Sequence, residues 1–108
     1  MSRLGYETRR TMIEAERDLG CPKIKWLDGE YVCVPSKSLA GKLLSEAGYQ
    51  SIGTESFFVR AELFTNETPR SESIIISPAG KRLVLMNVNN SPDGVFLFLD
   101  CNDENYKV

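Results

Sequence analysis

The sequence predicts a mainly β domain, a small antiparallel β-barrel or sandwich of about six strands with an N-terminal helix and a long loop between strands 2 and 3. Three observations predict it. From residue 23 onward, short apolar segments with a period of two recur roughly every eight to twelve residues, each bounded by turn residues. A stretch of helix formers precedes them and stops at Gly20 and Pro22. Residues 36–54 then interrupt a chain whose other strand connections are short, although hairpins usually close with about two to five residues.

The elements follow in order. Residues 7–19, "ETRRTMIEAERDL", set Met12, Ala15 and Leu19 on one side with Ile13 beside them, so the spacing predicts a short helix. Its apolar stripe is thin, which predicts a helix lying on the surface or projecting outward as an arm, not one filling the core. "KIKWL" places Ile24 and Trp26 on one face with lysines opposite, and "EYVCV" continues after Asp28-Gly29, so residues 23–34 read as a hairpin with Trp26 in the core. Within 36–54, Leu39 to Glu46 can form one or two helical turns that Gly41 weakens and Gly48 stops. "SFFVRAELF" (56–64) alternates Phe58, Arg60, Glu62 and Phe64 against Phe57, Val59, Ala61 and Leu63, the second set being the buried one. A polar link with Pro69 leads to "SIIIS". The turn "PAGKR" then joins it to "LVLMNVNN", in which Leu83, Leu85 and Asn87 oppose Val84, Met86 and Val88. "SPDG" turns the chain into "VFLFLDC".

This divides a single domain, 1–108, into an N-terminal helical arm (1–22), a barrel (23–101) carrying the loop 36–54, and a polar tail (102–108). A chain of this length buries roughly 60–65% of its unfolded surface around one core. "SIIIS" and "VFLFLD" are apolar on both faces, so their outer faces must be covered either by the helical segments or by another subunit. Both options stay open, and the second makes assembly part of the function.

Charge and composition narrow the function classes. Thirteen Lys and Arg against fifteen Asp and Glu give a formal charge of −2, which supplies no electrostatic reason for a polyanion or a membrane surface as the main partner. The N-terminal region lacks the apolar run of a signal peptide, and no apolar run approaches the ~20 residues of a membrane span, so a soluble, non-secreted chain is expected. Cys21, Cys33 and Cys101 are odd in number and widely spaced, which signals neither a disulfide framework nor a zinc site and fits a reducing compartment.

Chemistry is weighed by elimination. There is no histidine, hence neither the commonest general base near neutral pH nor the commonest metal ligand. Ser36 and Ser38 flank Lys37 without forming a serine-lysine nucleophile motif, and "SLAGKLLS" lacks the frame of a phosphate-binding loop. Asp28 and Glu30 flank a hairpin turn, and Asp100, Asp103 and Glu104 read as solvated charge near the C-terminal end. "DCNDEN" lacks the glycine and distal glutamate of a calcium loop. Cys33 and Cys101 lie in apolar strands and read as buried thiols. Neither a cofactor, a metal nor an enzymatic activity is expected. The best set for stacking single-stranded nucleic acid is Arg60 beside Phe58, with Tyr31 and Lys25, and it is sparse.

The order "WLDGEYVCVPS", a loop closing in "LLSEAGY", "FFVRAELF", a proline-containing link and "SIIISPAGKRLVLMNVNNSPDGVFLFLD" resembles the small head-tail joining proteins (head-completion or stopper proteins) of tailed bacteriophages. The resemblance covers most of residues 24–101, and its weight lies in the order and spacing of elements. It implies a virion protein, assembled in the host cytoplasm, that forms a ring of six or twelve copies at the connector, joins portal or adaptor to tail-terminator proteins, and meets DNA only as contents of the channel. It implies also that the loop is an assembly element, ordered against neighbours. Leu39, Leu43, Leu44 and Tyr49 are then its expected anchors, and Arg9, Arg10 and Arg17 candidate ion-pair partners between layers. Beside this stands a small β-barrel adaptor domain that binds a peptide by strand addition, or a single-stranded nucleic acid.

Overall fold

The computed structural model describes residues 3–38, 41–42, 53–65, 67–92 and 94–103, with side chains from residue 9 onward. Helix α1 (Arg3–Asp18) is followed by β1 (Lys23–Trp26), β2 (Gly29–Pro35), β3 (Glu55–Arg60), a 3₁₀ turn (Ala61–Leu63), β4 (Ile74–Ile76), β5 (Arg82–Asn90) and β6 (Phe96–Asp103). The strands close into an antiparallel barrel in the order β1-β2-β3-β6-β5-β4. Alternate residues fill the barrel interior: Ile24 and Trp26, Cys33, Phe57 and Val59, Ile75, Leu83 and Leu85, and Leu97, Leu99 and Cys101 form one buried cluster, with Ile24, Trp26, Phe57 and Val59 on the faces expected of them.

The outer faces of β2, β3 and β6 are apolar too, and α1 covers them. Met12 and Ala15 pack with Val34, Phe58, Val95, Phe96 and Phe98 in a second buried cluster, with Phe58 against Phe96 and Phe98 at ring centroids of 5.4 and 5.0 Å. The helix therefore lies along the barrel, and from Arg9 to Asp18 it is not a projecting arm. Its stripe is narrow in apolar residues because the third inward position is Glu16, one turn after Met12, which is buried as an ion pair. Leu19 lies beyond the helix and is exposed. Hydrogen bonds from Gly20 N–H to Arg17 C=O and from Cys21 N–H to Glu16 C=O end α1 in a Schellman motif, with Gly20 at φ +78°.

Two strands depart from simple alternation. β3 stops at Arg60 and the chain coils into the 3₁₀ turn, so Ala61 and Leu63 pack against the core as partly buried residues outside any strand. In β5 the register slips by one at Met86: Leu85 pairs with Cys101 but Asn87 pairs with Asp100. The slip turns Val88 inward and Asn87 outward, the reverse of what strict alternation predicts for that end. β6 also continues through Asp103, past the start of the expected tail.

Candidate functional site

Three places combine specific geometry with an unusual local arrangement. The first is the base of the excursion between β2 and β3. Ser36 N–H donates to Ser56 C=O at 3.0 Å, and the two hydroxyls also share a hydrogen bond. Ser38 caps a helical turn: its hydroxyl donates to Pro35 C=O at 2.6 Å and accepts from Gly41 N–H at 2.9 Å, and its carbonyl accepts from Lys42 N–H. A Cβ on Gly41 would lie 2.1 Å from Pro35 O, so only glycine fits at this close approach to the end of β2. The other foot mirrors this. A Cβ on Gly53 would lie 2.2 Å from Cys101 O, and Gly53 N–H donates to Asp100 Oδ1 at 3.1 Å. Asp100 is thus buried against the loop foot, not solvated. Thr54 N–H donates to Asn102 Oδ1 at 3.1 Å. Both feet are tied to adjacent strands.

The second is a clamp between α1 and the end of β3. Arg60 Nε reaches both carboxylate oxygens of Glu16, at 3.1 and 2.9 Å, with side-chain exposures of 15% and 4%. Arg60 also pairs with Glu62, which in turn takes Arg9 Nε at 2.8 Å. The hydrogen bonds from Arg9 and then Arg60 hold the Glu62 carboxyl below its usual range.

The third is the seam where the barrel closes. β1 and β4 share one register pair, Lys25 with Ile76. The hairpin turn beside it is Leu27-Asp28, since Trp26 pairs with Gly29, one position earlier than the Asp-Gly step suggests. Leu27 sits at φ +55° and its residue is 74% exposed, an uncommon pairing of left-handed backbone with a large bare apolar side chain. Next to it lies a groove of about 390 Å³ that includes Trp26, Leu27, Ile74, Ile76, Lys25 and Arg82 in its lining. Trp26, one of the lining residues, packs on Tyr31 and Phe64 with ring centroids at 6.3 and 6.0 Å.

Of the residues predicted as assembly contacts, Leu39, Leu43, Leu44 and Tyr49 lie outside the described residues. Arg9 belongs to the clamp, Arg10 pairs with Glu14 on its own helix at 3.2 Å, and exposed Arg17 borders the same outer face of α1 as those two. Arg9, Arg10 and Arg17 line one shallow groove on that face together with Ile13 and Glu14. Phe58 lies fully buried under α1, and Arg60 is engaged by Glu16 and Glu62, so neither presents a stacking surface. Cys33 and Cys101 are buried thiols, both pushed up to about 12 by burial first and then by Glu16 for Cys33 and Asp100 for Cys101.

Sequence reasoning missed Glu16, Asp100 and Leu27. Glu16 stood at a helical i+4 spacing from Met12, and that phase was a usable signal. Asp100 and Leu27 carried none, because their settings come from a distant loop foot and from a turn register. Among the described residues no cluster of three or more Cys, Asp or Glu is placed to hold a metal ion, and no helix is long and apolar enough to cross a membrane. Compared with family descriptions, curated proteins and solved structures, this chain matches none.

Proposed function

We propose that this chain is a structural virion subunit of the head-tail connector of a tailed bacteriophage, forming a ring with copies of itself and joining portal or adaptor to tail by protein contacts, without catalysis. The anchoring of the 36–54 excursion carries this reading. A segment of that length is not needed to connect β2 to β3, whose paired residues Pro35 and Phe57 are neighbours. Yet both ends are tied by glycine contacts that admit no Cβ and by a buried carboxylate. Long segments held at their feet on a rigid scaffold are commonly binding elements. The order of sequence elements supplies the class of assembly.

One part of the argument changes with the fold. α1 covers the outer faces of β2, β3 and β6, so apolar surface there no longer argues for a neighbour. Uncovered apolar surface remains at Leu27 and on the outer side of β4 and β5, where Ile74, Ile76, Val84 and Met86 are half-buried. Ring contacts are heterologous, so two different surfaces of each subunit must meet.

The test is the solution mass of the chain alone and mixed with portal and tail-terminator proteins, repeated after deletion of residues 38–46. We expect rings or defined complexes with the whole chain and their loss on deletion, with the far-UV spectrum and Trp26 emission of the barrel retained. Unchanged assembly by the deleted but folded chain would refute the reading.

A further inference from the structure

The barrel closes without α1: its six strands pair all the way round, and among the described residues none from α1 belongs to the cluster inside it. The helix is held from outside, by Met12 and Ala15 against the face of Phe58, Phe96 and Phe98 and by the Glu16–Arg60 pair. Four residues, 19–22, join the two parts. On the barrel side Pro22 is fixed, since its carbonyl accepts from Cys33 N–H at 2.9 Å. The turn that lays α1 back on its own barrel is made at Gly20, φ +78°, and Cys21, φ +53°.

Cys21 is poorly suited to that turn. Left-handed backbone is unfavourable for a residue with a Cβ, and the proline that follows drives its predecessor toward extended backbone. An extended Cys21 would give up its 2.7 Å N–H bond to Glu16 C=O and turn α1 away from its own barrel. Short hinges under strain invite exchange of an element between identical chains. Fully extended, a hinge of four residues spans about 13–14 Å, and the 16 residues of α1 add a rod of about 24 Å, enough to reach a touching neighbour.

What the helix leaves behind decides what can return. Phe58, Phe96 and Phe98 would face water, and Arg60, with 15% of its side chain exposed, would lose Glu16. A replacement must bring two apolar side chains three residues apart and a carboxylate four residues after the first, all on one helical face. The α1 of a second copy carries this set as Met12, Ala15 and Glu16. We propose that α1 is exchanged between copies of this chain, each helix seating on the Phe58, Phe96 and Phe98 face of the next barrel. The proposal rests on the ring reading and supplies its contact, because helices passed on in one direction make a heterologous interface.

Two full-length variants reverse the clamp from opposite sides, Glu16→Arg and Arg60→Glu. Each alone sets like charges together wherever its helix sits, on its own barrel or on an identical copy. Their one-to-one mixture matches the charges only when helices pass between copies, and a chain carrying both substitutions matches them in either arrangement. The chains are refolded from urea alone or mixed, and solution mass is measured with mass spectrometry to tell the two apart. We expect mixed assemblies holding both variants in equal shares, with at least about tenfold more assembled chain than either gives alone. A second measurement leaves the clamp intact and decides the matter if the doubly substituted chain does not refold. Cys21→Gly combined with Pro22→Ala accepts the left-handed turn and should lower assembly about tenfold with an unchanged far-UV spectrum. Assembly of the doubly substituted chain without mixed species, or assembly of the hinge variant as readily as the unsubstituted chain, overturns the exchange, and rings in those samples leave the ring reading standing. Exchanged pairs that never grow into rings, with or without portal and tail-terminator proteins, refute the ring alone. A chain that stays single throughout refutes both.

Discussion

Replacing Glu16 by alanine should destabilise the fold strongly for a single charge deletion. Stranding one member of a buried ion pair generally costs about 3–5 kcal/mol. Two features reduce that here: Arg60 keeps Glu62 as a second partner, and its side chain is 15% exposed to water. About 2–3 kcal/mol remains, the cost of losing a charged, two-oxygen contact at 2.9 and 3.1 Å and of opening space beneath α1. For a domain near this size that is a fall in melting temperature of about 10–20 °C. Urea unfolding followed at Trp26 and by far-UV circular dichroism measures it directly. The cycle with Arg60→Met isolates the pair, and its coupling should be about 1–2 kcal/mol because the two side chains touch. A loss below about 0.5 kcal/mol for Glu16→Ala, or additive single effects, would refute the claim that this pair fastens the helix to the barrel.

Four further outcomes are expected. A thiol reagent at pH 8 should label one of the three cysteines quickly, exposed Cys21, and reach Cys33 and Cys101 only on unfolding, as titration counts with and without urea will show. The Glu62 carboxyl titrates lower folded than unfolded, so its contribution is present above the ordinary glutamate value of about 4.3 and disappears as pH falls through the folded value; Glu62→Gln should flatten the stability curve below about pH 5, modestly since the group is 44% exposed. Gly53→Ala forces a methyl against Cys101 O and should destabilise by about 1–3 kcal/mol in urea melts, whereas Gly80→Ala, with no neighbour within 4 Å, should show only its left-handed backbone cost of about 1–2 kcal/mol. Leu27→Gly relieves a left-handed leucine and should raise stability by about 0.5–1 kcal/mol while weakening whatever contact the bare side chain makes, read as melting temperature against solution mass.

The strands were readable because period-two alternation is local. Ile24, Trp26, Phe57 and Val59 could be placed inward from neighbours in the chain, while for β5 alternation separated Leu83 and Leu85 from Val84 and Met86 without saying which face is buried. What sequence reasoning left open was which element covers the outer face of β6, since that depends on a helix some eighty residues away meeting Phe96 and Phe98. Glu16 looked like one of many surface acids until Arg60 arrived opposite it from β3. Similarly, Asp100 looked solvated because its partner, the Gly53 amide, comes from the far end of a long loop. The single-pair seam has no sequence mark at all; it follows from β1 turning at Leu27 before β4 ends.

The slip at Met86 leaves β5 with an inward set spaced unevenly, at Leu83, Leu85 and Val88. A strand so built contains one surplus residue, and excision of Met86 would restore even spacing while delivering the same three side chains to the interior. Excising a residue between Leu83 and Leu85 would instead present the wrong side chains inward. The barrel wall therefore has a single place on β5 where its length can change by one without inverting what it hides, and the bend made there is what such a shortening would straighten.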